Sequence, residues 1–340
     1  IDIDSLVRAN IRELTPYSLA RSESNLKSAI LMDANESPFN TGFNRYPPPS
    51  RIELKTLAAK MVHSTLLPEN VFAGNGSDEA IDLLIRVFCR PGIDNTLSIS
   101  PTYGMYKVLS AINDVEYRES PLEYRESPFK DGYFFKAKEL LSLACLNTKI
   151  IFLCSPNNPT GNLLDKKEII YVLDNFKGLV VIDEAYIDFS GDSGFASLID
   201  RYNNLVTLRT LSKSKGMAAI RVGFAFASAQ IISYLERVKY PYNLNINSQE
   251  LAIKSIKENS QKLVDYIKKE RAWLEAELLQ VKGVKTVFKS DTNFVLIEID
   301  NANEIASMLK ERGVIVRNFS KQPGCKDCLR ISVGKHYQNQ

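Results

Sequence analysis

What limits this chain most is a set of short segments that are apolar on both faces at once. Residues 96–100, 149–154, 179–183, 205–209 and 222–227 read as strands. Strands of that kind need helices over both sides of the sheet, which is the condition of a mainly parallel arrangement. Helical patterns at 77–89 and 166–175 lie between them, so the middle of the chain is expected to be α/β, with a mainly parallel central sheet flanked by helices. A charged helical region then runs from about Ile231 to Gln280. It leads to an alternating strand at 293–299, a helix at 302–312 and further strands near 314–317 and 329–333. The expected organisation is a large domain over 41–235, with 1–40 as an N-terminal arm and 236–340 as a smaller α+β domain. The Pro-rich 46–50 reads as a loop. Residues 116–122 and 123–129 repeat one heptad, EYRESPL and EYRESPF. Two copies of seven residues cannot build a stacking unit, so a duplicated surface loop is expected.

Ligands of open parallel sheets bind in the crevice beyond the carboxyl ends of the strands. A site should therefore lie among the residues just after each expected strand. Residue 100 is succeeded by Pro101-Thr102-Tyr103, and residue 154 by Ser155-Pro156-Asn157-Asn158. The run at 179–183 ends on Asp183 and continues into Glu184-Ala185-Tyr186, while the run at 205–209 leads into Leu211-Ser212-Lys213. An aromatic, an amide, a carboxylate and a lysine thus converge on one edge. Each alone has a plainer role: Tyr103 in packing, Asn158 in a turn, Asp183 as a helix cap, Lys213 in solvent. Four at consecutive strand ends favour a site.

These residue types suit pyridoxal 5'-phosphate. Its ring needs a lysine amine at the aldehyde carbon, a carboxylate opposite the ring nitrogen, donors to the phenolate oxygen, an aromatic face and a phosphate cradle. Lys213, Asp183, Asn158 with Tyr186, and Tyr103 match the first four in turn. For the phosphate, Gly74-Asn75-Gly76-Ser77 precedes a helical run whose first N–H groups can face an anion, and Ser212 and Arg221 flank the lysine. Asp78, also counted with the cofactor residues, and Glu79 fall in that helix's first turn, where they repel a phosphate unless they point away. Two rival phosphate motifs fail. Position 79 is Glu rather than the third glycine of a dinucleotide fingerprint, and no G-x-x-x-x-G-K-[ST] occurs.

The bulk properties exclude other classes. A net charge of +3 with scattered basic residues does not favour nucleic acid. No apolar run approaches the ~18–20 residues that span a bilayer, and no signal peptide opens the chain, so no membrane partner is expected. The chain begins at Ile1 and stops soon after Gly334, so a trimmed N-terminus and an incomplete last helix are expected. Five cysteines, an odd number, suit a reducing cytoplasm, the expected location. Cys325 and Cys328 form a C-x-x-C with no further ligands at metal spacing, so a structural role and no metal are expected. Two histidines leave little for a Ser-His-Asp or Cys-His mechanism.

The run at 210–223, TLSKSKGMAAIRVG, resembles the lysine segment of the class I/II, fold-type I aminotransferases. NPTG at 158–161 and DEAY at 183–186 stand in that family's order, and DANE at 33–36, RYP at 45–47, GNGSDE at 74–79 and LRISVG at 329–334 extend the resemblance over most of the chain. Within the family, DANESPF, SPNNPTG, VIVRNF and CLRISVG are most similar to the histidinol-phosphate aminotransferases. The resemblance implies a homodimer in which Tyr46 reaches the partner's cofactor phosphate. It implies a substrate carboxylate on Arg330 and a substrate phosphate held by Arg317 and Tyr17, with Asn35 of the DANE segment also counted among the substrate residues. It further implies that Lys213 carries the cofactor and then moves the proton, as the amino group passes from histidinol phosphate to 2-oxoglutarate, giving imidazole acetol phosphate and glutamate. The same lysine site serves aromatic or broad-range aminotransferases and decarboxylases of amino-acid phosphates, so those alternatives stay open. A non-catalytic binding protein on this fold is disfavoured by the intact lysine, aspartate and asparagine. One departure is Lys215, a second amine where relatives carry an aromatic.

Overall fold

All five double-sided runs are strands of one seven-stranded sheet in the computed structural model, which describes residues 1–17, 30–48, 51–125 and 132–340. In chain order the strands of this part are β1 (Val71–Asn75), β2 (Asn95–Ser100), β3 (Glu116–Pro121), β4 (Glu123–Arg125), β5 (Gly132–Phe134), β6 (Thr148–Cys154), β7 (Leu179–Asp183), β8 (Leu205–Thr210) and β9 (Val222–Ala227). The sheet order is β1-β9-β8-β7-β6-β2-β3, with β4 and β5 forming a separate hairpin. Neighbouring pairs from β3 through β8 are parallel, whereas β9 is antiparallel to both β8 and β1. The loop between Thr210 and Val222 is too short for the helical crossover a parallel return requires.

Period-two alternation splits each central strand between two cores. Ile150, Phe152, Cys154, Leu179 and Val181 pack with the helix Ser77–Phe88 on one face, and Ile151, Leu153, Val180 and Ile182 pack with Ile169 and Val172 of the helix Lys166–Asn175 on the other. Every residue of β7 is buried. That double burial is why these strands lack a polar face.

The first heptad copy is not a surface loop. It forms β3, an edge strand in parallel register with β2 from Asn95↔Glu116 to Ser100↔Pro121. The second copy begins as β4, paired with β5, and its residues 126–129 lie outside the described ones. An edge strand exposes one side, and charged residues there prevent edge-to-edge pairing. Tyr117 packs against the core while Glu116, Glu119 and Pro121 are exposed, so no apolar run marks the strand. β1 is equally unmarked, because it ends in the Gly74-Asn75 that reads as a loop.

The charged region after β9 is three helices, Ala229–Val238, Ile246–Lys257 and Gln261–Leu278. A second, antiparallel sheet comes next: β10 (Val284–Val287), β11 (Phe294–Ile299), β12 (Arg317–Asn318) and β13 (Cys328–Ser332), in the order β10-β11-β13-β12. The helix expected at 302–312 is Ala302–Glu311. β11 does not alternate between buried and exposed. Val295, Ile297 and Ile299 pack with Leu274 and Leu329, while Phe294 meets Tyr186 and Phe189, and Leu296 joins the larger core. The small sheet is covered on both faces because one of them rests on the large lobe. Cys325 and Cys328 are buried in that shared core as free thiols.

The turn after β1 lies directly on β9. Gly74 pairs with Gly223, and a Cβ on Gly223 would stand 2.2 Å from the Ser77 N and 2.5 Å from the Gly76 C. Backbone cannot give way there. Gly223→Ala is therefore expected to cost about 1–3 kcal/mol of stability, read as a lower denaturant unfolding midpoint. Gly104→Ala, where nothing lies within 4 Å of the added carbon, should leave the midpoint close to that of the wild type.

Candidate active site

The parallel order brings the carboxyl ends of β1, β2, β6, β7 and β8 to one edge, where a cavity of ≈ 140 Å³ opens. Gly76, Ser77, Asp78, Tyr103, Asn158, Asp183, Tyr186, Ser212, Lys213 and Arg221 all line it, together with Cys154, Ala185, Thr210 and Ala218. Candidates scattered through the sequence from Gly76 to Arg221 thus share one wall. Arg330, on β13, reaches the same place from the second sheet: its Nη1 donates to Asn158 Oδ1. Four candidates stand elsewhere. Tyr46 is half exposed and stacks on Tyr242 at 4.4 Å. Tyr17, Asn35 and Arg317 are exposed.

Asp183 sits at the cavity floor, fully buried. Its Oδ2 accepts from Tyr106 Oη at 2.8 Å and its Oδ1 from the Ala185 N–H at 3.1 Å. Burial pushes the carboxyl up from 3.8 to about 6, while the Tyr106 and Ala185 hydrogen bonds pull it down and the charges of Asp78 and Glu184 push it up. Lys213 Nζ lies over the Tyr186 ring, 5.4 Å from its centroid. Its amine is held below the ordinary lysine range, first by burial and then by the positive charge of Arg330, with Arg221 adding to the effect and Asp183 and Asp78 opposing it. Arg330 is sandwiched by Phe294 at 5.0 Å and Phe319 at 5.2 Å. Its Nε is buried with no hydrogen-bond partner among the described residues.

At the other end, the helix Ser77–Phe88 starts at Gly76 with no side-chain cap, so its first N–H groups remain open to an anion. Gly76 has φ +75°, and a Cβ there would press on Arg221 Nη2 at 2.8 Å. Asp78 does not point away, as it accepts from Tyr103 Oη at 3.1 Å and lies 4.0 Å from Arg221 Nη2. Glu79 does turn aside, taking the Asn75 N–H and the amide of Asn243.

Several supporting residues carry no motif. Tyr106 is one turn beyond Tyr103, the only signal that could have found it. Asn157, buried beside Asn158, donates to Pro101 O at 2.9 Å and accepts from Thr102 Oγ1 at 2.7 Å, tying the β6 loop to the β2 loop. Ser214 donates to Asp188, and Arg209 bonds both Asp188 and Glu184. Lys215 faces away from the cavity: its Nζ donates to Ser255 O at 3.2 Å and Glu258 O at 2.9 Å, at the end of the helix Ile246–Lys257.

A half-buried lysine and a buried carboxylate facing one cavity, with an uncapped helix start at its far end, on an open α/β sheet, are the arrangement of a group-transfer enzyme. The chain belongs to the family described as Aminotransferase class I and II, whose sequence pattern matches residues 21–340. It is 46% identical over 340 residues to the histidinol-phosphate aminotransferase of Bacteroides fragilis (strain YCH46), covering 99% of this chain and 96% of that one. The solved histidinol-phosphate aminotransferase from Clostridium acetobutylicum superposes with a TM-score of 0.78 at 25% identity, over 88% of each chain. That from Sinorhizobium meliloti, in complex with pyridoxal-5'-phosphate, shares the fold with a TM-score of 0.74 at 19% identity, over 87% of this chain and 80% of that one.

The raised Asp183 pKa means that the folded protein holds this proton more tightly than the unfolded chain. Its contribution to stability is full below about pH 4 and is lost as pH rises through about 6. Relative to Asp183→Asn, ligand-free wild-type protein should lose on the order of 2–3 kcal/mol between those limits. Urea midpoints of the two proteins across that range test it, and parallel profiles would contradict it.

Proposed function

We propose that this enzyme moves an amino group between histidinol phosphate and 2-oxoglutarate, giving imidazole acetol phosphate and glutamate, with pyridoxal 5'-phosphate as cofactor. The observation that carries the proposal is the placement of Lys213 and the buried Asp183 on one cavity wall. The name of the 46% identical relative supports the substrate.

The residues present fit the group. Lys213 would be its point of attachment, Asp183 would face the ring nitrogen, Asn158 and Tyr186 would donate to the phenolate oxygen, and Tyr103 would cover the ring. The open N–H groups at Gly76 and Ser77, with Asp78 beside them, and the side chains of Ser212 and Arg221 would hold the phosphate. A Cβ would press on the Arg221 side chain at Gly76 and on the Ser77 and Gly76 backbone at Gly223, so both glycines keep that end compact. Bound there, pyridoxal phosphate supplies an electron-withdrawing ring that makes the hydrogen on the amino-bearing carbon acidic.

This chain's own groups do the rest. Lys213 Nζ, held below its usual pKa by burial and by Arg330, has a larger neutral fraction near pH 7 and takes up that proton as a general base, returning it later as an acid. Asn158 gives its oxygen to Arg330, which leaves its amide N–H donors for the cofactor. Arg330, with its open Nε, binds the substrate's carboxylate. Arg317, assigned with Tyr17 to the substrate phosphate, adds positive charge that Arg330 senses. A guanidinium pairs bidentately with phosphate or carboxylate, so the same arginines serve both half-reactions. Asn35 completes the proposed substrate set.

Residues 41–235 would form the cofactor domain, with the remainder as arm and small domain. We propose a homodimer, with Tyr46 serving the partner subunit's phosphate site. Ile30, Met32, Phe39 and Phe43 are between 70% and 92% exposed, an apolar run suited to burial against a second copy. No helix among the described residues is long and apolar enough to cross a membrane. The five free cysteines fit a reducing cytoplasm.

Purified protein should show a visible band that bleaches on adding histidinol phosphate and returns with 2-oxoglutarate. Bleaching with phenylalanine instead, or loss of carbon dioxide from an amino-acid phosphate, would replace the substrate or the reaction. Lys213→Ala should lose the band and cut turnover roughly 10³-fold or more. Borohydride reduction followed by peptide mapping should label Lys213, and a label on Lys215 would refute the assignment.

A further inference from the structure

Tyr106 is the largest of the fully buried side chains among the described residues and belongs to no recognised motif. Its ring is fixed on both sides, stacked on Phe152 with centroids 4.8 Å apart and planes 6° apart, and edge-on to Tyr103 at 5.5 Å. Its hydroxyl lies 2.8 Å from Asp183 Oδ2. We propose that Tyr106 is a positioning residue, whose phenol fixes the Asp183 carboxylate from beneath the cavity and holds it as the anion. This rests on the assignment of Asp183 to the cofactor's ring nitrogen and deepens it, by naming what keeps that carboxylate charged and aimed.

The surroundings of Asp183 make such a donor necessary. Asp78 faces it from the helix Ser77–Phe88, Cys154 from β6, and Glu184 and Tyr186 from its own strand end. Burial and the charges of Asp78 and Glu184 all favour the protonated form. Lys213 and Arg221 are the cations on the cavity wall, and neither forms a hydrogen bond or ion pair with Asp183. The two groups that bond the carboxylate directly are the Ala185 N–H and the Tyr106 phenol, one on each oxygen. Two donors on opposite oxygens set the carboxylate plane. A phenol donating to a carboxylate stabilises the charged form over the neutral one, and a rigid ring cannot swing away when the cavity fills.

The test uses cofactor-free protein in four forms: wild type, Tyr106→Phe, Asp183→Asn and the double variant. Phenylalanine keeps both ring contacts and removes only the hydroxyl. The pH dependence of the unfolding midpoint that belongs to Asp183 is read as wild type against Asp183→Asn, and as Tyr106→Phe against the double variant. In the Tyr106→Phe pair the decline should extend to higher pH by roughly one unit. Superimposable difference curves would overturn the proposal. So would a Tyr106→Phe effect on the pH profile that persists with asparagine at 183. In cofactor-loaded enzyme, Tyr106→Phe should lower kcat about 10-fold or more with little change in donor KM, and unchanged kcat would count against the role. A protein that takes up no pyridoxal phosphate would defeat the cofactor assignment, while the cofactor-free curves would still decide what Tyr106 does to Asp183.

Discussion

A carboxylate buried at the end of a central strand sets the terms for everything around it. β7 is paired on both sides, with Asp183 in register with Cys154 of β6 and Leu208 of β8, so the strand cannot shift to bring its last residue to water. Burying an unpaired charge costs several kcal/mol, and among the described residues Asp183 has no ion pair. The compensation within the chain is two neutral donors and the more distant charge of Lys213. A cationic ring nitrogen, on the proposed function, would supply the missing partner. The site is therefore costly when empty and favourable when filled, which is a physical reason for its affinity as much as for its chemistry.

Lys213 shows the same balance with the signs reversed. Asp183 and Asp78 hold its proton, while burial and Arg330 release it. Arg330 comes from β13 of the second sheet, and its bond to Asn158 crosses between the two sheets. The small sheet thus tunes the lysine. Any motion that carries β13 away from β6 would remove a positive charge from beside Lys213 and let its amine hold its proton more firmly.

How much can be read from residues alone depends on burial. The strands at 96–100, 149–154, 179–183, 205–209 and 222–227 are legible because both of their faces are covered, and the cavity wall is legible because residues just beyond such strands must converge. β3 is hidden by its charged outer side, and β11 reads as alternating because nothing local shows that a second lobe covers its other face. Tyr106 escapes notice for a related reason. A buried aromatic in a helix reads as core, and its hydroxyl acquires a purpose only when β7 is placed beside it. The second amine at Lys215, a source of ambiguity in sequence, stands away from the cavity wall, its side chain ending on the carbonyls of Ser255 and Glu258.

That placement of Lys215 bears on how the cavity lysine is held. Ser214 is tied to Asp188 on one side of Lys213's loop, and Lys215 is tied to the end of the helix Ile246–Lys257. Gly216 turns the chain with φ +66° and donates back to Lys213 O at 3.1 Å. The neighbours and the backbone of Lys213 are thus anchored while its own Nζ has no hydrogen bond among the described residues, resting only over the Tyr186 ring. A lysine meant for a structural bond would be held by its ammonium. Here the loop is fixed and the amine is left free, which on the proposed function is the arrangement needed by a group that forms a bond, leaves it and carries a proton without losing its place.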